Sequence, residues 1–393
     1  MSGRFTIEGG GELEGFVLPR GCEASGCRRV PGHGGVEVAS PRFDEAATVR
    51  LFETLRRAGR ALRARPVAER VEAIGRACDR FRTPDDPVRS EALRLLPAQG
   101  SLSHAGAVGV IDAMSADWTA DRLAALVRSE FPHGTAPGGG FGAPAPDPEG
   151  RPTRRVAVPS ELTLTISSGT VPGVSVTAAI RSLLVGSGTL VKPGAGDLVL
   201  PLLFARALGE VDAELADALA VIYWPGGEDD LEDRALADAD RVVVYGGSET
   251  IRSVRTRAST SATLVEYRHR VGIAVIGVER ASPAELDALA EGLADAVVPC
   301  EQRGCVSPVR VHAIGSRGRV CRFAERLARV LAAREERVPG ARTPEEASAA
   351  HQLLGSLELR RASGAAVDLW SGSGWIVAVE PSDELYAGGR GVL

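Results

Sequence analysis

The chain has 393 residues, 44% hydrophobic and 25% charged, with a formal net charge of −5. That length accommodates two domains, each with its own core. The weak negative charge gives no electrostatic footprint for a nucleic-acid binder, and no apolar run is long enough to cross a bilayer.

In chain order, the first residues, Met1-Ser-Gly-Arg-Phe-Thr-Ile-Glu8, lack the basic and then apolar halves of a signal peptide, so a cytoplasmic protein is expected. Residues 1–40, rich in Gly, Arg and Glu, read as an irregular arm with one hairpin. From 44 to 81 the apolar spacing is helical (Leu51, Leu55, Ala58, Leu62), and Pro66 starts a second helix. Further helices fit 87–96 and 120–131, and 132–152 reads as a loop or linker. The rhythm then changes. Strands are predicted at 162–166, 189–191, 219–223, 241–245 and 263–265, separated by helices at 172–185, 198–208, 231–237 and 249–255. Short strands alternating with helices predict an α/β protein with a doubly wound parallel sheet. A second alternating unit follows: a strand at 271–276, a helix at 283–297, a loop at 299–304, a strand at 309–313 and a helix at 320–334. Apolar segments at 367–370 and 375–379 close it. The expected division is 1–265, a helical region with a nucleotide-binding domain, and 266–393, a catalytic α/β domain.

Ligands of such sheets bind beyond the carboxyl ends of the strands. The turns there are Ser168-Gly169-Thr170, Lys192-Pro193-Gly194, Trp224-Pro-Gly-Gly227 and Gly246-Gly247-Ser248. Lys192 is the only lysine beside 45 arginines. Either it survived a coding bias by chance, or it meets a group for which a planar guanidinium is too wide. A cation at that strand exit suits a ribose or a phosphate, and Gly residues behind it let a ligand approach the backbone. Gly247 and Ser248 open a helix whose N–H groups suit a pyrophosphate, although Gly-Gly turns are also common chain reversals. No GxGxxG follows a strand.

Six cysteines (22, 27, 78, 300, 305 and 321) are too sparse for a disulfide framework. Neither close pair has zinc-ligand spacing or a neighbouring His, so no metal is expected. Cys305 lies in Glu301-Gln-Arg-Gly-Cys-Val-Ser-Pro308, a loop leading into a strand. It is either a small buried residue or an accessible nucleophile whose neighbouring backbone N–H groups hold an oxyanion. Cys300 is core filler or its redox neighbour. Glu266, ending a strand, is a general base, a solvated surface ion or a partner for Arg268.

Together and in this order, these turns resemble the aldehyde dehydrogenase superfamily, most closely its LuxC branch of acyl-CoA and acyl-protein thioester reductases. The resemblance runs from about Leu162 to Val309. It is carried by Gly169-Thr-Val-Pro-Gly173, Leu190-Val-Lys-Pro-Gly194 with Tyr245-Gly-Gly-Ser248, and Gln302-Arg-Gly-Cys-Val-Ser-Pro308. It implies an aldehyde-dehydrogenase-like fold. Lys192, with Pro193 and Gly169 beside it, would hold the adenosine ribose or 2′-phosphate, and Gly247 and Ser248 would border the pyrophosphate. Cys305 would carry the acyl group, and Glu266 matches the superfamily's catalytic glutamate. The implied reaction is NADPH-dependent reduction of an acyl thioester, from acyl-CoA or an acyl-carrier protein, to an aldehyde. The implied partners are an acyl-protein synthetase and further copies of the chain. Ala195 stands where many NAD-specific relatives have an acid, which favours NADPH and leaves NADH open.

Three departures are visible. Thr170 replaces the family's Asn, whose amide points toward the oxyanion; losing such a donor is worth about 10²–10³ in rate. Arg268 replaces a common glycine. The sequence ends at Gly391-Val-Leu393, so the strand that often completes the oligomer interface is expected to be missing or replaced. Two other functions stay open: an acyl-Cys acyltransferase or hydrolase without a redox step, and a non-catalytic partner protein with the same fold.

Overall fold

The computed structural model describes residues 12–131, 142–146, 149–227, 230–268 and 270–381. It divides into two compact units, residues 1–100 with 111–269 and residues 101–110 with 270–393.

The centre of the first unit is a six-stranded sheet. Its order is Thr263–Arg268, Arg241–Gly246, Leu162–Ile166, Gly188–Lys192, Leu219–Ile222 and Phe16–Val17. The first five are parallel, and Phe16–Val17 adds an antiparallel edge. The chain therefore winds one way from Leu162–Ile166 through its next two strands, then returns to the other side with the last two. That reversal puts a topological switch point between Leu162–Ile166 and Arg241–Gly246, where doubly wound sheets open a crevice.

Burial explains why these segments are strands. Leu162–Ile166, Gly188–Lys192 and Leu219–Ile222 are buried at every position, as expected of parallel strands covered on both faces. Leu164, Ile166, Leu190, Ile222 and Val244 join Leu51, Phe52 and Leu55 of the Glu45–Arg63 helix in one core. That helix starts where Asp44 accepts from the Ala47 N–H at 2.8 Å, a side-chain cap. The arm contains the expected hairpin, Gly26–Pro31 against Glu37–Arg42. It also contributes two strands that were not expected, Glu12–Glu14 and Phe16–Val17.

In the second unit, Gly272–Gly277 pairs in parallel with Pro308–Ile314, and Asp368–Ser371 pairs antiparallel with Ile376–Val379. Helices Pro283–Val297 and Arg317–Arg337 close its core through Leu286, Leu293, Phe323 and Leu327. Helix Pro344–Ala362 was not predicted. Only Ala350 and Leu357 of it are buried, so its sequence has no apolar stripe, although Thr343 and Glu346 form a capping box at its start. Helix His104–Asp117 was also not predicted. Of the loop expected at 132–152, residues 132–141 and 147–148 lie outside the described residues, while Ala145–Pro146 pairs with Pro152–Thr153. The N-terminal residues 1–8 and C-terminal residues 391–393 also lie outside them.

Candidate active site

Parallel strands place their exit turns on one edge of the sheet, so Gly169, Thr170, Lys192, Pro193, Gly247 and Ser248 share that edge. Lys192 is 7% exposed, with its ammonium 5.9 Å from the centre of the Tyr223 ring, and its carbonyl accepts from the Ser167 N–H at 2.9 Å. A lysine this deep needs compensation, and an aromatic face supplies part of it. Pro193 is buried behind it, whereas Thr170, Gly247 and Ser248 are exposed. The Thr170 hydroxyl lies 2.9 Å from the Ser168 hydroxyl.

The glycines of the first two turns face each other. A Cβ on Gly169 would lie 2.7 Å from the Gly196 nitrogen, and one on Gly194 would lie 2.6 Å from the Gly169 Cα. The two turns thus pack backbone against backbone, and the space behind these glycines is filled by the facing turn. The fully buried Asp197 reaches across the same seam. Its two oxygens accept from the Gly173 N–H at 2.7 Å and the Ser175 N–H at 3.0 Å, at the start of helix Val174–Val185. Burial, working against the pull of the N–H bonds, raises its carboxyl to about 7. Helix Ser248–Arg257, in contrast, starts at Gly247 with no side-chain cap.

Glu266 is clamped. Arg255 donates to it at 2.6–3.0 Å and Arg268 at 2.9–3.2 Å. These bonds, those of Arg268 first, hold its carboxyl below the usual range, so both oxygens are committed and the group stays charged. The alternation along the strand puts Tyr267 on the other face, where its ring stacks on Tyr245 with centroids 4.4 Å apart.

Cys305 belongs to the second unit. The segment before it is unusual: Cys300, Glu301 and Gln302 all have positive φ, at 53°, 53° and 61°. Such backbone is held by its surroundings. Glu301 accepts from the Ala341 N–H at 2.8 Å, and Arg303 donates to the Ser101 carbonyl at 2.8 Å. The buried Gln302 amide donates to the Pro308 carbonyl at 2.8 Å, tying the two stems of the loop together. Within the loop the Ser307 N–H donates to the Gly304 carbonyl at 3.0 Å, which makes Cys305 and Val306 the exposed corner of a turn. Among the described residues, the Cys305 N–H has no acceptor. Cys300, by comparison, is half-buried, and burial raises its thiol pKa.

Sequence reasoning missed Asp197 and Arg255. Asp197 left a trace, one carboxylate in a glycine-rich strand exit, while Arg255 is one of 45 arginines and left none.

The sequence model of one family, described as acyl-CoA reductase (LuxC), matches residues 63–387. The long-chain acyl-protein thioester reductase of Aliivibrio fischeri is 25% identical over 162 residues, 40% of this chain and 33% of that protein. Long-chain acyl-protein thioester reductase 2 of Photobacterium leiognathi is 24% identical over 162 residues, with 40% and 33% covered. The match thus spans about a third of the length of these relatives. Among solved structures, an aldehyde dehydrogenase from Brucella melitensis biovar abortus 2308 superposes with a TM-score of 0.70 at 15% identity, covering 97% of this chain and 79% of that one. The NADP-dependent glyceraldehyde-3-phosphate dehydrogenase of Bacillus halodurans C-125, complexed with NADP, gives 0.66 at 15% identity, again with 97% and 79% covered. At such identities the likeness establishes the fold, and the expected aldehyde-dehydrogenase-like α/β architecture is the one found.

Proposed function

The chain belongs to the acyl-CoA reductase (LuxC) family, and from that premise we propose that it reduces an acyl thioester to an aldehyde through an acyl group carried on Cys305. The observation that carries this reading is the exposed thiol at the corner of a loop whose stems are tied by Gln302. A thiolate there attacks the thioester carbonyl, the acyl–sulfur bond to CoA or a carrier protein breaks, and the departing thiolate takes a proton. The Cys305 N–H, which has no acceptor among the described residues, is a donor for the oxygen that gains charge. Thiolate is also a good leaving group, so Cys305 is regenerated when the aldehyde departs.

A nicotinamide dinucleotide fits the strand-end edge. Lys192 presents a cation there, and helix Ser248–Arg257 offers uncapped N–H groups for a diphosphate, while Asp197 already fills the start of Val174–Val185. When bound in reduced form, such a group supplies the hydride. Ala195 places no carboxylate against a 2′-phosphate, which supports NADPH over NADH. In this reading Gly169 and Thr170 shape the neighbouring turn, and acyl-CoA or an acyl-carrier protein, the latter charged by an acyl-protein synthetase, is the donor.

Glu266 weighs against the hydrolase alternative. Deacylation by water needs a base with a free lone pair and a pKa near the working pH, and Glu266 has neither feature while Arg255 and Arg268 hold it. Intact-protein mass spectrometry with a panel of acyl-CoAs tests the proposal. Expected are an acyl adduct without NADPH, its disappearance with NADPH, and no adduct on Cys305→Ala. Reduction by Cys305→Ala at the wild-type rate ends the proposal. An adduct that persists with NADPH and passes to another nucleophile favours the transferase reading.

A further inference from the structure

In a doubly wound sheet, the helix that follows the strand at the switch point ordinarily aims its first N–H groups at a ligand's phosphate. Here two of those donors are taken. Gly173 and Ser175 give their N–H groups to Asp197, 24 and 22 residues further along the chain, in the turn that follows the next strand. An ordinary cap comes from the residue just before its helix; this one comes from another crossover and bridges two. Around the bridge, Gly169, Gly194 and Gly196 leave no room between the turns, and Ser167 donates to the Lys192 carbonyl at 2.9 Å across the same seam. The Asp197 N–H also closes its own turn onto the Gly194 carbonyl at 2.9 Å.

We propose that Asp197 is a positioning residue for the cofactor edge: an internal carboxyl acceptor that takes the place of a ligand phosphate and locks the Thr170 turn to the Lys192 turn. It touches neither substrate nor cofactor and acts through the placement of Lys192. The inference rests on the reading of Lys192 as a cofactor anchor. It also accounts for the missing GxGxxG, because a phosphate loop is not needed where the chain supplies the acceptor. No other side chain substitutes simply. Asparagine turns an N–H donor toward one of the two backbone N–H groups, and alanine leaves both without an acceptor in a dry site.

The test uses the full chain carrying Asp197→Ala, Asp197→Asn, Lys192→Met and the double change Asp197→Ala with Lys192→Met. NADP⁺ affinity is measured by titration, and hydrogen exchange is followed in peptides covering 167–176 and 192–198. For Asp197→Ala we expect NADP⁺ binding at least tenfold weaker and both peptides exchanging at least tenfold faster. Sodium formate, a carboxylate small enough for the vacated space, restores both. Lys192→Met weakens binding without loosening either peptide, and adding Asp197→Ala weakens it no further. Asp197→Asn carries the same measurements should the alanine variant not fold. Faster exchange confined to 172–176, with 192–198 protected, reduces Asp197 to a local cap and overturns the proposal. Unchanged NADP⁺ affinity with both peptides loosened also overturns it. A wild-type protein that takes up neither NADP⁺ nor NAD⁺ overturns the cofactor reading instead, and the exchange measurements then still decide whether Asp197 ties the turns.

Discussion

Gly194→Ala is the sharpest test of how the strand-end edge is built. The new Cβ would lie 2.6 Å from the Gly169 Cα and 2.6 Å from the Ser168 carbonyl carbon. Ordinary contact at about 3.5 Å requires the turns to part by roughly 1 Å. The bonds across the seam, 2.7 and 3.0 Å to Asp197 and 2.9 Å from Ser167 to Lys192, would stretch beyond hydrogen-bond range. Overpacking costs about 1–3 kcal/mol and a weakened bond to a buried carboxylate about 1.5–3 kcal/mol, so a loss of about 3–5 kcal/mol is expected. At a urea dependence of about 2–3 kcal/mol per molar, the midpoint falls by roughly 1–2.5 M. Tryptophan fluorescence reports this cleanly in a Trp370→Phe, Trp375→Phe background, which leaves Trp118 and Trp224, both buried in the first unit. Gly226→Ala is the control, since nothing lies within 4 Å of its Cβ position, and it should move stability by no more than about 0.5 kcal/mol. A Gly194→Ala midpoint within about 0.2 M of the control refutes the backbone-to-backbone seam.

Gly247→Ala separates fold from ligand: its Cβ meets nothing within 4 Å, so urea stability should stay constant while NADP⁺ affinity drops about tenfold, and a fall in stability instead contradicts the assignment. Gln302→Leu strands the buried Pro308 carbonyl, at a cost of about 1–3 kcal/mol, and should slow acylation of Cys305 by loosening its loop; acylation at the wild-type rate, timed by stopped-flow quench, counts against that role. The Asp197 carboxyl, raised to about 7 from an unfolded value of 3.8, makes stability greatest below about pH 4 and lost as pH rises through 7. Wild type minus Asp197→Asn should therefore fall by on the order of 4 kcal/mol over that range in paired urea titrations, and a rising difference contradicts the burial argument.

The extent to which the sequence disclosed this differs from element to element. Leu162–Ile166 and Gly188–Lys192 were legible because each centres on a short stretch of Leu, Val, Ile and Thr set between turn residues, Pro159 and Gly169 around the first and Gly186 and Pro193 around the second. Helix Pro344–Ala362 was not, because it buries two residues and so carries no period. Phe16–Val17 was not, because a two-residue strand exists only by pairing with Leu219–Ile222 some two hundred positions away. At the candidate site, Cys305, Lys192 and the Gly247-Ser248 turn were nameable as candidates from residue type and order, since the chemistry proposed for them is local.

What the chain order alone determined is the alternation of elements and the identity of the groups at the strand exits. The tertiary structure decided what those groups meet. The glycines behind Lys192, read as room for a ligand, are room for another turn, and Asp197, unremarked in one dimension, is the bridge between them. Glu266, open to three readings, is held between Arg255 and Arg268. The physical reason is the crossover itself: right-handed connections return parallel strands side by side after some twenty to thirty residues, so atoms in contact across the sheet leave no periodic mark along the chain.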